Sequence, residues 1–195
     1  VCEAVSWEPL DEFEEVWIHP REFYMTSEES FNEALEDIEK ELEDRVDWFE
    51  SKGKDIEAHR LEQRTRFDLE MLNEVGSCKG VENYSMHFDR RSRGKRSFCL
   101  LDFFSSNADQ FHGGSDRYLV IMDESHVTLP QVGGMHGGDF SRKKNLVDFG
   151  FRLPSAFDNR PLRIDEFQDL IPRMIYVSAT PGERELRHLA EVTGQ

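Results

Sequence analysis

The sequence has few cysteines and no long apolar run, and each shortage closes off a class of protein. Its three cysteines, Cys2, Cys78 and Cys99, are odd in number and form no Cys-x-x-Cys pair. That removes a disulfide framework and a structural zinc site, leaving reduced thiols of a cytoplasmic protein. No stretch approaches the ~18 consecutive apolar residues that a membrane-spanning helix needs. Val1-Cys2-Glu3-Ala4-Val5 offers neither an initiator Met nor a basic-then-apolar leader, so the chain reads as a piece of something longer. His112 and His136 lie beside glycines without a second ligand pair at metal spacing. They read as loop or surface histidines.

What is present is charge, unevenly placed. The 195 residues carry 40 acidic and 24 basic side chains, a formal net charge of −16. A uniform surface of that sign would repel a DNA backbone. Residues 1–75, however, hold 24 acids and 8 bases, whereas residues 76–195 hold 16 of each. The whole surplus therefore sits in the first 75 residues, and two differently built segments share the chain. A hydrophobic fraction of 37% with 11% aromatics excludes a wholly disordered chain and permits one large domain or two small ones.

Residues 1–25 contain a short strand-like run, Val16-Trp17-Ile18, ending at His19-Pro20, as at the edge of a preceding domain. Trp7, Trp17 and Trp48 read as packing residues. Thr26 opens a capping-box pattern in which Glu29 reaches back. Phe31, Leu35, Ile38, Leu42, Val46 and Phe49 then follow at steps of three and four, one apolar stripe on a helix whose other faces are acidic. Ser51-Lys52-Gly53-Lys54 breaks the stripe. A second run, Ile56, Leu61, Thr65, Leu69 and Leu72, ends at Gly76, a C-cap signal. The two runs predict an antiparallel helical hairpin. Its stripe is either a seam covered inside the domain or an open face for a coiled-coil partner, and exposure separates the two.

From Gly76 to Ser97 the periodicity dissolves into a predicted loop holding Arg90, Arg91, Arg93, Lys95 and Arg96. Such a cluster either clamps phosphates or is simply solvated. Leu100 to Phe104 is a short apolar run, and Ser105 to Ser115 reads as another loop. Tyr118 to Met122 is continuously apolar, the pattern of a strand buried on both faces of a parallel sheet, and Met174 to Val177 is a second such run. The fifty residues between them leave room for the helical crossover that parallel strands require. They include Gly133-Gly134, Gly137-Gly138 and the basic triplet Arg142-Lys143-Lys144.

The first apolar run ends in Asp123-Glu124-Ser125-His126 and the second in Ser178-Ala179-Thr180-Pro181. Ligands of open α/β sheets gather at the carboxyl ends of the strands. Adjacent acids there have a use: an Asp can hold Mg²⁺ through water while a Glu orients the attacking water. These two clusters resemble motifs II and III of superfamily 2 helicases. The surrounding sequence is similar to the UvrB family of the bacterial nucleotide excision repair excinuclease. The resemblance is carried by Arg60-Leu-Glu-Gln-Arg-Thr-Arg-Phe-Asp-Leu-Glu-Met-Leu72, by 78–85, 123–131 and 146–162, and by Ile175-Tyr-Val-Ser-Ala-Thr-Pro-Gly182. These stretches span roughly residues 25–185 in the family's order.

The resemblance implies an ATP- and Mg²⁺-using protein that verifies damaged DNA with UvrA-like and UvrC-like partners in the cytoplasm. It implies that Asp123 and Glu124 serve Mg²⁺ binding and water activation, and that His126, Ser178 and Thr180 couple hydrolysis to movement. It places Arg64, Asn83, Tyr84, Arg142 and Lys143 as candidate DNA contacts, with Tyr84 equally able to pack beneath its loop. The expected fold class is α/β: a partial RecA-like parallel sheet, the second half of a P-loop NTPase lobe, preceded by an acidic helical hairpin subdomain. The expected divisions are 1–25 as the remnant of a UvrA-binding-like domain, 26–100 as the helical subdomain with its basic loop, and 101–195 as the second half of helicase lobe 1.

Departures from the family matter as much. No Gly-x-x-x-x-Gly-Lys-Ser/Thr string is present, so no backbone cradle for nucleotide phosphates is encoded here. The family's tyrosine-rich β-hairpin, its second helicase lobe with the arginine finger and its C-terminal UvrC-binding hairpin are also missing from this sequence. His136 stands where the family often has Tyr, and Phe140 near an Arg. An ATPase fragment inert by itself is therefore expected. The alternative is a non-catalytic UvrB-like interaction module of the kind found in transcription-repair coupling factors, against which the intact Asp123-Glu124 pair argues. A stand-alone acidic coiled-coil scaffold explains the charge but not the motif order. A parallel sheet without its first strand is expected to expose apolar edge and aggregate.

Overall fold

Helix formation starts at Ser27, whose hydroxyl accepts the Ser30 N–H at 3.3 Å and caps α1, Glu28–Ser51. The computed structural model describes residues 27–194. The expected Thr26 cap and the Val16-Trp17-Ile18 run lie outside the described residues, and the observed cap is one residue later than expected. Gly53, at φ +67°, turns the chain into α2, Asp55–Val75, which ends at Gly76 in the left-handed region with its N–H on the Leu72 carbonyl.

The predicted stripe is the seam. Leu35, Ile38, Leu42 and Phe49 of α1 are buried against Ala58, Leu61, Leu69 and Leu72 of α2. The covered seam rules in favour of internal packing over an open coiled-coil face. Ile56 departs from the expected stripe and is 73% exposed, because Ala58 takes the inward position in the first turn of α2. Cys78, Tyr84, Phe88 and Leu153 close the core from the side, with Phe31 stacked on Phe88 at 5.5 Å. Burial pushes the Cys78 thiol up to about 12, so it packs as an inert apolar group.

Residues 76–97 are more ordered than a loop. A 3-10 turn, Val81–Tyr84, runs into a single helical turn, α3, Ser85–Phe88. The arginines that follow are fasteners. Arg90 pairs with Glu33 at 3.0 Å and Asp37 at 2.7 Å on α1, Arg93 with Glu41 at 2.9 Å, and Arg96 grips both carboxylate oxygens of Asp102. Arg91 reaches the Asp158 carbonyl at 3.0 Å. The cluster is thus neither an open phosphate clamp nor a solvated loop, since four of its five cations hold the segment against neighbouring elements.

The Ser105–Ser115 loop expectation is also corrected. α4 spans Leu100–His112, opened by Asp102 accepting the Cys99 N–H at 2.8 Å and closed by Gly113 at φ +71°. Leu101, Phe104, Ala108 and Phe111 carried that helical spacing beneath a polar composition.

β1, Val120–Met122, and β2, Met174–Tyr176, pair in parallel with Ile121 opposite Ile175. The crossover between them is helical, through α5, Ser125–Asp148, a 3-10 turn at Pro154–Asp158, and α6, Ile164–Leu170. α7, Glu183–Thr193, follows β2. The expectation that these strands are buried on both faces does not hold in this chain: Ile121 is 63% and Ile175 47% exposed. Two strands with helices on one side leave the other face bare. Among the described residues the architecture is accordingly mostly helical, seven helices with one small two-stranded parallel sheet, and the α/β expectation survives only as that sheet.

α5 is weak in its middle. Pro130 removes one backbone donor, and Gly133, Gly134, Gly137 and Gly138 each sacrifice up to ~1 kcal/mol relative to alanine. The helix is held by its ends, through buried Ser125 and Leu129 on one side and Lys143 and Val147 on the other.

Two joints fasten the hairpin to the rest. Glu41, buried in α1, accepts from His87 at 2.8 Å, from Arg93, and from the Ser155 backbone N–H at 2.8 Å. Burial opposes its charge, yet the His87 and Ser155 hydrogen bonds with the Arg93 charge hold its carboxyl below the ordinary range. The second joint is Gly150. It sits at φ +70°, and a Cβ there would lie 2.3 Å from the Glu57 carbonyl oxygen of α2. Gly150→Ala is therefore expected to lower stability by more than the ~1–2 kcal/mol that a left-handed backbone costs an L-residue. Gly53→Ala, at a similar φ but with open space around it, should show the backbone cost alone. Equal shifts in thermal midpoint for the two variants would refute the close-approach argument.

Candidate functional site

The two polar clusters meet at the carboxyl ends of β1 and β2. The Val177 N–H donates to the Met122 carbonyl at 2.9 Å and the Ser125 N–H to the Val177 carbonyl at 3.0 Å, carrying the parallel pairing past the strand ends. Asp123 and Glu124 occupy the turn into α5. Glu124 adopts φ +45°, a conformation rarely taken by residues with a side chain. The Asp123 carboxylate accepts the Glu124 N–H at 2.9 Å, and the Thr128 hydroxyl donates to the Asp123 carbonyl at 3.0 Å. This strained corner points both acids outward, where both are exposed.

His126, in the first turn of α5, bridges to the second cluster. Its Nδ1 lies 2.8 Å from the Ser178 Oγ and its Nε2 3.3 Å from the Thr180 Oγ1, while the Thr180 N–H donates to the Ser178 Oγ at 3.1 Å. The Glu124 carboxylate stands 3.4 Å from the same imidazole. One ring thus touches an acid from the end of β1 and two hydroxyls from beyond β2.

Glu185 of α7 completes the corner. It accepts from the hydroxyl of fully buried Ser125 and from the Gly182 N–H. The Ser125 hydrogen bond, with the Gly182 amide, lowers its pKa. Sequence reading missed this residue, although its signal was present: Gly182 followed three residues later by an acid is a helix-start pattern.

Comparison with known proteins decides the family. The model of the UvrB third helical domain matches residues 29–90. UvrABC system protein B of Natranaerobius thermophilus is 47% identical over 193 residues, covering 99% of this chain and 28% of that protein. The Bacillus licheniformis protein is 49% identical with the same coverage, and the Aromatoleum aromaticum protein is 51% identical over 178 residues, 91% of this chain and 24% of its own length.

The chain belongs to the UvrB family. It spans about a quarter of the length of these UvrB relatives.

The remaining residues expected to act in a UvrB protein are placed differently from one another. Tyr84 is 3% exposed and its hydroxyl donates to Asp68 at 2.8 Å. Burial, then the Asp68 charge, pushes its pKa far up, so it packs beneath its segment. Arg64 is tied to the same Asp68 at 3.0 Å and to the Lys79 carbonyl at 2.9 Å, and Asn83 to the Gly80 carbonyl at 2.8 Å. Lys143 is buried, bound to Asp139 and to the Asn159 carbonyl. Arg142 keeps an exposed guanidinium with one bond to Asp139 at 3.0 Å. These five do not converge with Asp123 and Glu124 through any shared contact.

Among the described residues no three His, Cys, Asp or Glu side chains converge as a metal cage. A Mg²⁺ ion that keeps most of its water needs only one or two carboxylates plus phosphate oxygens. Exposed Asp123, engaged by one backbone donor, fits that donor set. The His126 bridge has its own check. Ser178→Ala removes the 2.8 Å partner of Nδ1 and is expected to shift the His126 ring-nitrogen resonances while costing about 1 kcal/mol of stability. Unchanged ring-nitrogen shifts would show that the bridge does not form in solution.

Proposed function

We propose that this chain supplies part of the nucleotide-hydrolysing lobe of a UvrB-like protein that verifies damaged DNA, together with the helical subdomain beside it. The observation that carries this reading is the His126 bridge, which links a Glu at the end of one parallel strand to two hydroxyls beyond its neighbour. Within the reading, Asp123 binds Mg²⁺ through water and Glu124 orients the attacking water. His126 senses whether Glu124 is engaged, and passes the change to Ser178 and Thr180. The reading takes 26–100 as the helical subdomain and 101–195 as the motor-lobe segment, with 1–25 as a UvrA-binding-like remnant. Damaged DNA and UvrA-like and UvrC-like proteins are the partners this reading assigns, with ATP and Mg²⁺ as cofactors of the longer protein.

A Mg²⁺ ion held through water at Asp123 would supply Lewis-acid stabilisation of developing charge. The residues present do the rest of the local work. The αL turn at Glu124 projects its carboxylate beside His126, and the Ser125–Glu185 bond anchors α7 to the base of the site. No phosphate cradle is encoded in these 195 residues.

The expected outcome is that the 195-residue chain releases no phosphate from ATP above background. A UvrB protein with these residues in their full context should hydrolyse it, and Glu124→Gln there should lower the rate by at least ~100-fold, the lower end of a general acid–base contribution. Turnover by the isolated chain that Glu124→Gln abolishes, or an unaltered rate in the longer protein, would overturn the reading.

A further inference from the structure

We propose that Glu185 is a positioning residue for nucleotide hydrolysis. Its carboxylate holds Glu124 in its working conformation by tying Ser125, the next residue, to α7 and to the loop after β2. This role rests on the hydrolytic reading given above, in which Glu124 orients the attacking water. Glu124 sits at φ +45°, a backbone conformation that a residue with a side chain leaves unless its neighbours prevent it. Asp123 and Thr128 secure the turn on one side, through the Glu124 N–H and the Asp123 carbonyl. The other side is secured at Ser125. That residue is fully buried, its N–H is fixed to the Val177 carbonyl at 3.0 Å, and its hydroxyl donates to Glu185.

A helix cap does not account for this arrangement. Capping α7 takes one carboxylate oxygen, which accepts the Gly182 N–H. The other oxygen takes a hydroxyl from 60 positions earlier in the chain, the acceptor that a buried hydroxyl requires. Apolar packing seats α7 only lightly. Leu186 and Leu189 are 52% and 57% exposed, and a cleft of about 330 Å³ opens between them and Met174 and Tyr176 of β2. The carboxylate therefore sets where α7 sits on the corner. The approach is close: a Cβ on Gly182 would lie 3.2 Å from the Glu185 Oε2 and 3.9 Å from the His126 Cβ. Glu185 and His126 thus join the same two strand ends, one through Ser125 and Gly182, the other through Glu124, Ser178 and Thr180. In this role Glu185 acts through Ser125 rather than on the nucleotide.

The test uses a UvrB protein carrying these residues in their full context. ATP turnover is measured for Glu185→Ala, Glu185→Gln and Ser125→Ala, with thermal midpoints taken alongside. Misplacing a reacting group by ~1 Å costs on the order of 100-fold in rate, so kcat should fall at least ~10-fold in Glu185→Ala while KM for ATP stays within ~2-fold. Glu185→Gln keeps an oxygen for the Gly182 N–H and an amide that donates to the Ser125 hydroxyl, so it should retain most of the native rate. Ser125→Ala should reproduce the fall in kcat. Arg187→Gln, on the exposed side of α7, should change nothing. A second readout needs no turnover: in the 195-residue chain the Glu124 Cα and Cβ chemical shifts report its backbone conformation and should move in Glu185→Ala. A lowered thermal midpoint with native kcat would make Glu185 a helix cap only and overturn the proposal. A glutamine variant as slow as the alanine variant, or unmoved Glu124 shifts, would overturn it too. Should Glu185→Ala not fold, Ser125→Ala carries the same comparison, and native kcat there counts against the proposal. Glu124→Gln separates the two readings: lost turnover there beside native turnover in Glu185→Ala removes the positioning role alone, whereas an unaltered rate in Glu124→Gln removes both.

Discussion

A single buried carboxylate, Glu41, governs how the two halves of this chain meet. Taking a carboxylate out of water costs several kcal/mol unless its oxygens are satisfied. Here they are satisfied by an imidazole from α3, a guanidinium from the arginine-rich segment and a backbone amide from the 3-10 turn at Pro154–Asp158. Those donors come from residues 46, 52 and 114 positions away in sequence. The acid therefore selects one arrangement of the hairpin against the segments that lead into and out of the sheet. Asp158 repeats the device on a smaller scale, taking the Gly94 N–H at 2.5 Å on its carboxylate and Arg91 on its carbonyl.

This explains what the charge imbalance is for. Most acids of the hairpin are solvated, but Glu33 and Asp37 receive Arg90, Glu41 receives Arg93, and Asp68 receives Arg64 and Tyr84. Two cations that look like part of a nucleic-acid clamp in the sequence, Arg90 and Arg93, are spent on acidic α1, while Arg91 and Arg96 are spent on Asp158 and Asp102. Elsewhere, Arg60 and Arg152 lie beside exposed phenylalanines, and Arg142 pairs with Asp139 on the outside of α5. The strand ends, by contrast, carry their polar groups on an exposed, strained corner, with a bare apolar sheet face beside it. That contrast between a fastened helical half and an open sheet-bearing half fits a chain spanning about a quarter of the length of its relatives.

Much of this was legible in the sequence, and the misses have physical causes. The stripe of α1 and α2, the Gly76 cap and the two strands followed from periodicity and apolar runs. So did the gathering of Asp123, Glu124, His126, Ser178 and Thr180, because strand ends on a parallel pair must lie side by side. α4 was hidden because serine, asparagine and glycine masked a helical spacing of apolar residues. Glu41 was hidden because an acid within an acidic helix looks solvated, although it falls three residues after Ile38 and so on the buried face. The fate of Arg90, Arg91 and Arg93 depends on contacts across more than fifty residues, which no local pattern records. Gly150 could be marked only as a turn; its contact with the α2 backbone exists only in three dimensions.

The claim that Glu41 joins the halves is tested most directly by thermal unfolding of the chain and of Glu41→Gln between pH 7 and pH 3. Because the folded pKa of Glu41 lies below its ordinary value near 4.5, its stabilisation is present above that value and lost as the pH falls through the folded pKa. Removing one partner of a buried charged pair costs roughly 3–5 kcal/mol. The variant should therefore melt well below the native chain at pH 7, with the gap narrowing as the solution is acidified below about 4.5. Coincident melting at pH 7, or a gap that stays constant down to pH 3, would contradict the account.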